Sequence, residues 1–326
     1  MPPDSSAGRA ISPEDAFSLL GNEIRIDILR ALAETEPRRF SELRAATDVA
    51  DSGKFNYHLN QLTDHFVERR EDGYRLSRPG RRVIQAVVSG AVTDAPEIER
   101  TAIDWRCHLC GDGPLELDYR DEQIGVYCPH CAGLYGGEDG VEEPSRPADR
   151  ERLYYMHLPP AGLAGRSPEA VMLAGARWSI AETVTAASGI CPRCAAAIVE
   201  SATVCRSHTA EAGRCSACDN RFAVMHRARC PNCGFELESV FVNKLLTDLE
   251  FRRFLMDHGA NPVFPRSHRF LELVHGYEET VRSADPLEVR FRFEAGKETL
   301  TVVVDDSLSV ASITRERDTA GTDGQR

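Results

Sequence analysis

The sequence predicts a multidomain α+β protein, and three observations carry that expectation. Residues 13–90 string together short amphipathic helices and close on an Asp-Gly turn between two brief strands. The 11 cysteines are confined to the middle of the chain, ten of them in Cys-x-x-Cys pairs. The final third passes from helical periodicity into alternating stretches broken by Gly296 and Asp305-Asp306.

Ser12-Pro13-Glu14-Asp15 opens the first helix, with a capping hydroxyl, proline at the first helical position and acids in the first turn. Ala16, Phe17, Leu19 and Leu20 give it an apolar side, and Gly21 ends it. Asn22 can cap a second helix, whose Ile24, Ile28, Leu29 and Leu32 recur at helical spacing until Pro37. Ser41 begins a short helix, SELRAAT. After a turn at Val49-Ala50-Asp51, SGKFNYHLNQLTDH forms another from Ser52. There Phe55, Leu59, Leu62 and Phe66 make one stripe, while Gly53, Asn56, Tyr57, Asn60 and Gln61 face away or flank it. A merely solvated helix in so acidic a chain would carry several carboxylates, yet this one has only Asp64, at its far end. Asn, Gln, Lys and a tyrosine hydroxyl are groups that hydrogen-bond base edges and phosphates in a major groove. Strands at Val67–Arg70 and Tyr74–Leu76 then flank the Asp72-Gly73 turn, bearing Arg69, Arg70 and Arg75 in the layout of a wing. Pro79-Gly80 leads into a last helix, RRVIQAVVSG.

Residues 13–90 therefore resemble the winged helix-turn-helix of ArsR-type archaeal and bacterial regulators. LLGNEIRIDILRAL, SELRAAT, the S-x5-H-L-x2-L spacing of Ser52, His58, Leu59 and Leu62, and the Asp-Gly hairpin carry the likeness, over a quarter of the chain. The resemblance implies a helix in the major groove, a wing on the flanking backbone and a dimer built by terminal helices. Carried over by position, Lys54, Asn56, Tyr57 and Asn60 would face bases or phosphates, and Arg69, Arg70 and Arg75 the backbone. Founding members sense metals through cysteines in or beside this domain. Residues 1–95 contain none, so an arsenic- or heavy-metal-sensing role does not carry over. A protein-docking module of the same fold is the alternative for this domain.

Two thiolates three residues apart on a tight turn can reach one tetrahedral ion, and two such turns complete its shell. Cys107, Cys110, Cys128 and Cys131, with 17 residues between the pairs, read as a zinc ribbon over 103–136. His108 and His130 lie inside those knuckles and are expected to be bystanders. The second cluster, within 190–238, runs Cys191/Cys194, ten residues, Cys205, then six residues from His208 to Cys215/Cys218, then eleven to Cys230/Cys233. Accepting Cys205 with His208 as a Cys-x-x-His knuckle gives eight ligands, enough for two ions. The expected pairing is sequential: Cys191, Cys194, Cys205 and His208 on one ion, Cys215, Cys218, Cys230 and Cys233 on the next. A cross-braced arrangement, first pair with third and second with fourth, uses the same ligands. Twelve ligands make three closed sets of four, which points to three structural Zn2+ ions, since a catalytic zinc keeps an open position. No catalytic residue is assigned, and no phosphate loop, Gly-x-Ser-x-Gly elbow or His-Glu-x-x-His occurs.

Between the clusters, 137–164 reads as a linker and 165–189 as a helix opened by Ser167-Pro168-Glu169, with apolar positions Val171, Ala174, Trp178 and Ala181. The C-terminal region, 239–315, is expected to hold two helical stretches, VFVNKLLTDLEFRRFLMDHG and SHRFLELVHGYEETVRSADP. A small antiparallel β-meander follows, with strands at Leu287–Phe293, Thr299–Val304 and Ser309–Thr314. His258, His268 and His275 have no metal spacing, and 316–326 reads as a disordered tail.

Only Lys54, Lys244 and Lys297 are lysines, against 36 arginines and 51 carboxylates, a balance similar to that of halophilic archaeal proteins. A net charge of −12 does not favour nucleic-acid binding, but residues 37–82 hold 10 basic and 7 acidic side chains. No leader or membrane-length apolar run is apparent, so a cytoplasmic protein is expected. The expected fold is thus an N-terminal winged helix-turn-helix, central zinc ribbons, and C-terminal helices plus a small antiparallel β-meander. The combination resembles ArsR-like regulators of haloarchaea. The expected function is a transcriptional regulator on double-stranded DNA, a homodimer, with a protein or small-molecule effector at its C-terminal region. Alternatives are a basal transcription accessory factor resembling the alpha subunit of general transcription factor E, which joins a winged helix to one zinc ribbon, and a zinc-dependent enzyme.

Overall fold

A computed structural model describes residues 11–135, 152–209, 213–262 and 268–317. It is a mixed α+β chain with four antiparallel sheets among the described residues, in two compact units, Met1–Asp94 and Ala95–Arg326.

The first unit holds α1 (Pro13–Leu20), α2 (Glu23–Glu34), α3 (Phe40–Ala45), α4 (Ser52–Leu62), the hairpin β1 (Val67–Arg70) and β2 (Gly73–Leu76), and α5 (Arg78–Val88). Ser12 caps α1 as expected, its hydroxyl accepting from the Asp15 amide at 3.1 Å. Helix α4 opens at Ser52 as expected and is capped by Asp51, whose carboxylate accepts from the amides of Gly53 and Lys54 at 2.7 and 3.0 Å. A carboxylate serves better than a hydroxyl there because the helix N-terminus carries partial positive charge. Phe55, Leu59 and Leu62 of α4 are fully buried against Ile28, Leu29 and Leu32 of α2 and Ile84 of α5. Fully burying each such side chain contributes about 1.5–3 kcal/mol, and this apolar core fixes which face of α4 is left outside. Gly80 sits where a Cβ would meet the Phe66 carbonyl at 2.0 Å, so only glycine admits this approach of α5 to the hairpin.

The second unit begins with a four-stranded sheet, β3 (Ile98–Ile103), β4 (Leu115–Arg120), β5 (Gln123–Tyr127) and β6 (Arg152–His157), in sequence order. The β6 strand corrects the expected linker. Residues 152–157 pair with β5, and Pro160–Leu163 form a 3-10 turn, because Leu153 and Met156 are apolar enough to join the core of this sheet. The linker's remaining part, 137–151, lies outside the described residues. Helix α6 (Pro168–Ala187) follows, capped by Ser167, and buries Val171, Met172, Gly175, Glu182, Thr183, Ala186 and Ala187. Its inward face is thus turned from the expected stripe, and Trp178 is left 44% exposed. Gly175 holds the centre of the inner face because it packs directly on Ile124, which a Cβ would meet at 2.3 Å.

A three-stranded sheet, β7 (Val199–Val204), β8 (Val224–Arg229) and β9 (Glu236–Val240), leads through a 3-10 segment, Phe241–Thr247, into α7 (Leu249–Asp257) and α8 (His268–His275). The chain ends in a four-stranded meander, β10 (Tyr277–Ala284), β11 (Leu287–Ala295), β12 (Glu298–Asp305) and β13 (Val310–Arg317). Residues 277–284, expected as helix, are the first strand: Tyr277, Glu279 and Val281 turn inward while Glu278, Thr280 and Arg282 are exposed, the two-residue alternation of a half-buried strand. Strand β13 runs to Arg317, so the expected tail loses its first two residues; 318–326 lie outside the described residues. Phe241, Phe251, Phe254, Phe291 and Phe293 form the centre of a core shared by the last two sheets and the helices between them.

Candidate metal centres and exposed helix face

Four of the cysteine knuckles fold identically. The amides of Gly111, Ala195, Asp219 and Gly234 donate to the carbonyls of Cys107, Cys191, Cys215 and Cys230 at 2.8–3.0 Å, and each of those cysteines' own amides donates to a carbonyl five residues on. All four donors adopt positive φ, which suits Gly111 and Gly234 and strains Ala195 (61°) and Asp219 (54°). The turn aims both side chains of a pair at one point.

Ligand atoms converge in three sets of four, each within 4.8 Å: Cys107, Cys110, Cys128 and Cys131; Cys191, Cys194, Cys230 and Cys233; Cys205, His208, Cys215 and Cys218. The first is the expected set. The other two contradict both the sequential and the cross-braced pairing, because the arrangement is nested, first pair with fourth and second with third. Pairing of β7 with β8 imposes it. Val199 lies opposite Arg229 and Val204 opposite Val224, so the pairs flanking one end of the ladder meet there and those flanking the other end meet at the opposite end. A sequential set would have to span β7, roughly 17 Å for six residues.

The sulfur geometry fits a tetrahedral ion. Ligands about 2.3 Å from a central zinc stand about 3.8 Å apart along a tetrahedral edge. Here Cys107 and Cys131 are separated by 3.7 Å, Cys110 and Cys128 by 3.7 Å, Cys191 and Cys233 by 3.6 Å, and Cys194 and Cys230 by 3.5 Å. In the mixed set the Nδ1 of His208 lies 3.5 Å from Cys218 Sγ. Its Nε2 is 3.1 Å from the Arg221 carbonyl, a bond in which the ring N–H donates and leaves the Nδ1 lone pair facing the sulfurs. Neighbouring thiols in these sets are driven apart in acidity. In the mixed set the Thr209 amide draws Cys215 down to about 6 while burial pushes Cys218 up to about 12; in the other two, the Ala196 amide draws Cys194 down to about 6 and burial pushes Cys107 up to about 11. Crowded thiolates repel one another, and a divalent cation held at the centre would allow all of them to ionise together.

Sequence reasoning missed the residues that support the ligands. The Asn232 side-chain amide donates to Cys194 Sγ at 3.4 Å across the set, and the Leu109, His130 and Ala217 amides donate to Cys107, Cys128 and Cys215 at 3.4 Å. Asn232, inside a knuckle, was the one legible signal. His108 lies outside its set: its Nδ1 is 2.5 Å from the Tyr154 hydroxyl, and its ring packs against Tyr154 and His275. His275 is fully enclosed, and burial lowers its pKa to about 3, so it is a neutral packing residue.

In the first unit, Lys54, Asn56, Tyr57 and Asn60 are all exposed on α4, Tyr57 by 59%, and Gln61 is half-buried. His58, part of the sequence motif, is instead in the core. On the hairpin, Arg70 pairs with Glu68 and Arg75 with Asp72, both at 2.5 Å, while the Arg69 guanidinium lies 5.9 Å from the centre of the Tyr74 ring.

The fold and its clusters define a mixed α+β protein with three cysteine-rich sites suited to metal ions. The chain belongs to the family described as Domain of unknown function (DUF7351), whose model matches residues 104–310. Residues 13–87 match a second model, Domain of unknown function (DUF7347). Each match falls inside one of the two compact units. No curated protein and no solved structure matches the chain. Among the described residues no helix is long and apolar enough to cross a membrane.

Proposed function

We propose that the protein is a DNA-binding transcriptional regulator whose first unit is a winged helix-turn-helix and whose second unit, organised by three structural zinc ions, binds a partner. The exposed face of α4 carries this conclusion. It presents Lys54, Asn56, Tyr57 and Asn60 with no carboxylate among them, in a chain of net charge −12, and the arginine-bearing hairpin follows directly. Amide side chains on such a face can bond adenine bidentately in the major groove, and Lys54 and Tyr57 can reach phosphates. Arg69, held over Tyr74 and not across from a carboxylate, is the wing residue readiest to take a phosphate; Arg70 and Arg75 must first exchange a carboxylate partner. Dimerisation would place two α4 helices on successive major grooves.

Zinc is favoured by a donor set of eleven thiolates and one imidazole, by tetrahedral spacing and by closed shells of four. Closed shells hold structure and leave no position for a reacting water, which supports a binding protein over an enzyme.

Mapping genome-wide occupancy of the tagged protein in its own cells tests the proposal. Sharp peaks sharing a two-fold motif upstream of a few genes are expected. Broad occupancy at most promoters would instead make it a basal factor, and no enrichment would turn the first unit into a protein-docking module.

A further inference from the structure

The free edge of β7 is the feature whose chemistry is unused by the metal sites or by α4. We infer that this edge is a docking groove for an extended peptide carrying an arginine or lysine, which adds to the sheet as a fourth strand. This deepens, and rests on, the partner-binding role proposed for the second unit.

Strand β7 pairs only with β8 among the described residues and stands at the border of its sheet. The direction of its backbone groups follows from the ladder at both ends. The Cys205 amide donates to the Ala223 carbonyl at 2.8 Å, so the alternation of an antiparallel pair gives residues 203 and 201 to β8 and turns Glu200, Ala202 and Val204 outward. At the far side of β8, Cys230 donates to Phe235 at 2.8 Å, which assigns its even-numbered residues to β9 and its odd ones to β7, the same phase. Glu200, Ala202 and Val204 line an open groove of about 330 Å³, faced by two turns of the meander that contribute Ala284, Leu287, Asp306, Ser307 and Leu308. Outward amides and carbonyls opposite a mostly polar wall that carries the Asp306 carboxylate are what strand addition by a basic peptide requires: main-chain bonds for affinity, side-chain contacts for selectivity.

Other strands show how unusual this border is. Unpaired edges are normally guarded by charge or proline. On the outer face of the same sheet Arg227 pairs with Glu238 and Arg229 with Glu236, yet β7 presents Val199, Ser201 and Thr203, with Val199 62% exposed. Its single charge, Glu200, is held from behind by Lys244 at 2.6 Å and by His226 at 2.8 Å. Asp306 is therefore the carboxylate available to the occupant, its Oδ1 already accepting from the Leu287 amide at 2.9 Å. Among the described residues no basic side chain lines the groove, which selects an occupant of positive charge.

The test selects binders from a phage-displayed random heptapeptide library on the zinc-loaded full chain. Expected are peptides of alternating β-branched residues with a basic side chain at one constant position. Ala202→Pro removes an amide that faces the groove and takes no part in pairing with β8, so the chain should keep its metal content while affinity for the selected peptides falls on the order of tenfold or more. Asp306→Lys should reverse the charge preference on the same edge. Failure to enrich such peptides, or equal binding by the Ala202→Pro chain, would overturn the proposal. So would a dimer in sedimentation that Ala202→Pro dissolves, since the occupant would then be a second copy's β7. DNA binding measured on the same samples separates failure here from failure of the regulator itself.

Discussion

Changing Cys205 and Cys215 to serine together separates the nested arrangement from both alternatives. In the nested arrangement the two thiols belong to one set, with His208 and Cys218. In the sequential or cross-braced arrangement they would belong to different sets. Losing both from one set leaves two ligands at a single site, so a chain binding three ions should bind two, and the second change should cost little beyond the first. If the thiols served different ions, the double variant would fall to one. The stake per site is large, since a structural zinc contributes on the order of 10 kcal/mol of apparent binding free energy coupled to folding. The assay is native mass spectrometry of zinc-loaded protein, with Cys194→Ser plus Cys233→Ser as a second pair that should also lose a single ion. One ion remaining in the first double variant would refute the ladder argument, because only β7–β8 pairing excludes the other sets.

Three further outcomes follow from single groups. Glu279 lies largely buried, accepting from the Ala223 amide at 2.6 Å, and burial pushes its pKa up to about 7. Protonation therefore favours the fold: the stability is present below the unfolded pKa, about 4.3, and is lost as pH rises through 7, by about 4 kcal/mol at full ionisation. Glu279→Gln, which keeps an acceptor for Ala223, should be more stable than the parent at pH 8 and ahead of it by only about 1 kcal/mol at pH 5, by denaturant melts with zinc held saturating. Gly80→Ala places a Cβ 2.0 Å from the Phe66 carbonyl and should lower the stability of the first unit by about 1–3 kcal/mol, read by circular dichroism of α-helix content against urea. Ala195→Gly relieves a positive φ and should raise the affinity of its metal set in a chelator competition, where the same change at Ala196 should not.

Local chemistry was the part of this molecule most legible in its sequence. All twelve candidate ligands were readable because a knuckle is made within a few residues: the spacing of Cys-x-x-Cys or Cys-x-x-His and its turn arise together, with glycine at the left-handed position in two of the knuckles and Ala195 or Asp219 in two others. Which knuckles share an ion was not readable, since that depends on β7 lying antiparallel to β8 across a gap of 19 residues. The same limit explains Tyr277–Ala284. YEETVRSA has the acids of an exposed helix, and only pairing with β11 reveals that Tyr277, Glu279 and Val281 share an inner face. Helix α6 was placed correctly from its Ser-Pro-Glu start, but its face was not, because Trp178 outweighs Gly175 in any hydrophobic stripe while only the glycine fits against Ile124. The apolar stripe of α4 was legible for Phe55, Leu59 and Leu62, but the helix stops at Leu62, so Phe66 packs from the following turn, and His58 joins the inner face that the apolar pattern did not assign to it.

The central claim is that α4 reads bases while the hairpin holds the backbone, and one comparison tests it most directly. A preferred site is first selected from random duplex DNA by the zinc-loaded protein. Affinities of the parent, Asn56→Ala with Asn60→Ala, and Arg69→Ala are then measured on that site and on unrelated duplex over a range of salt. The asparagine changes should cost about 1–3 kcal/mol per lost base contact on the selected site and almost nothing elsewhere. Arg69→Ala should weaken both duplexes alike and reduce the salt slope by about one. Equal losses on every sequence from both variants, or no selected site at all, would contradict a base-reading helix.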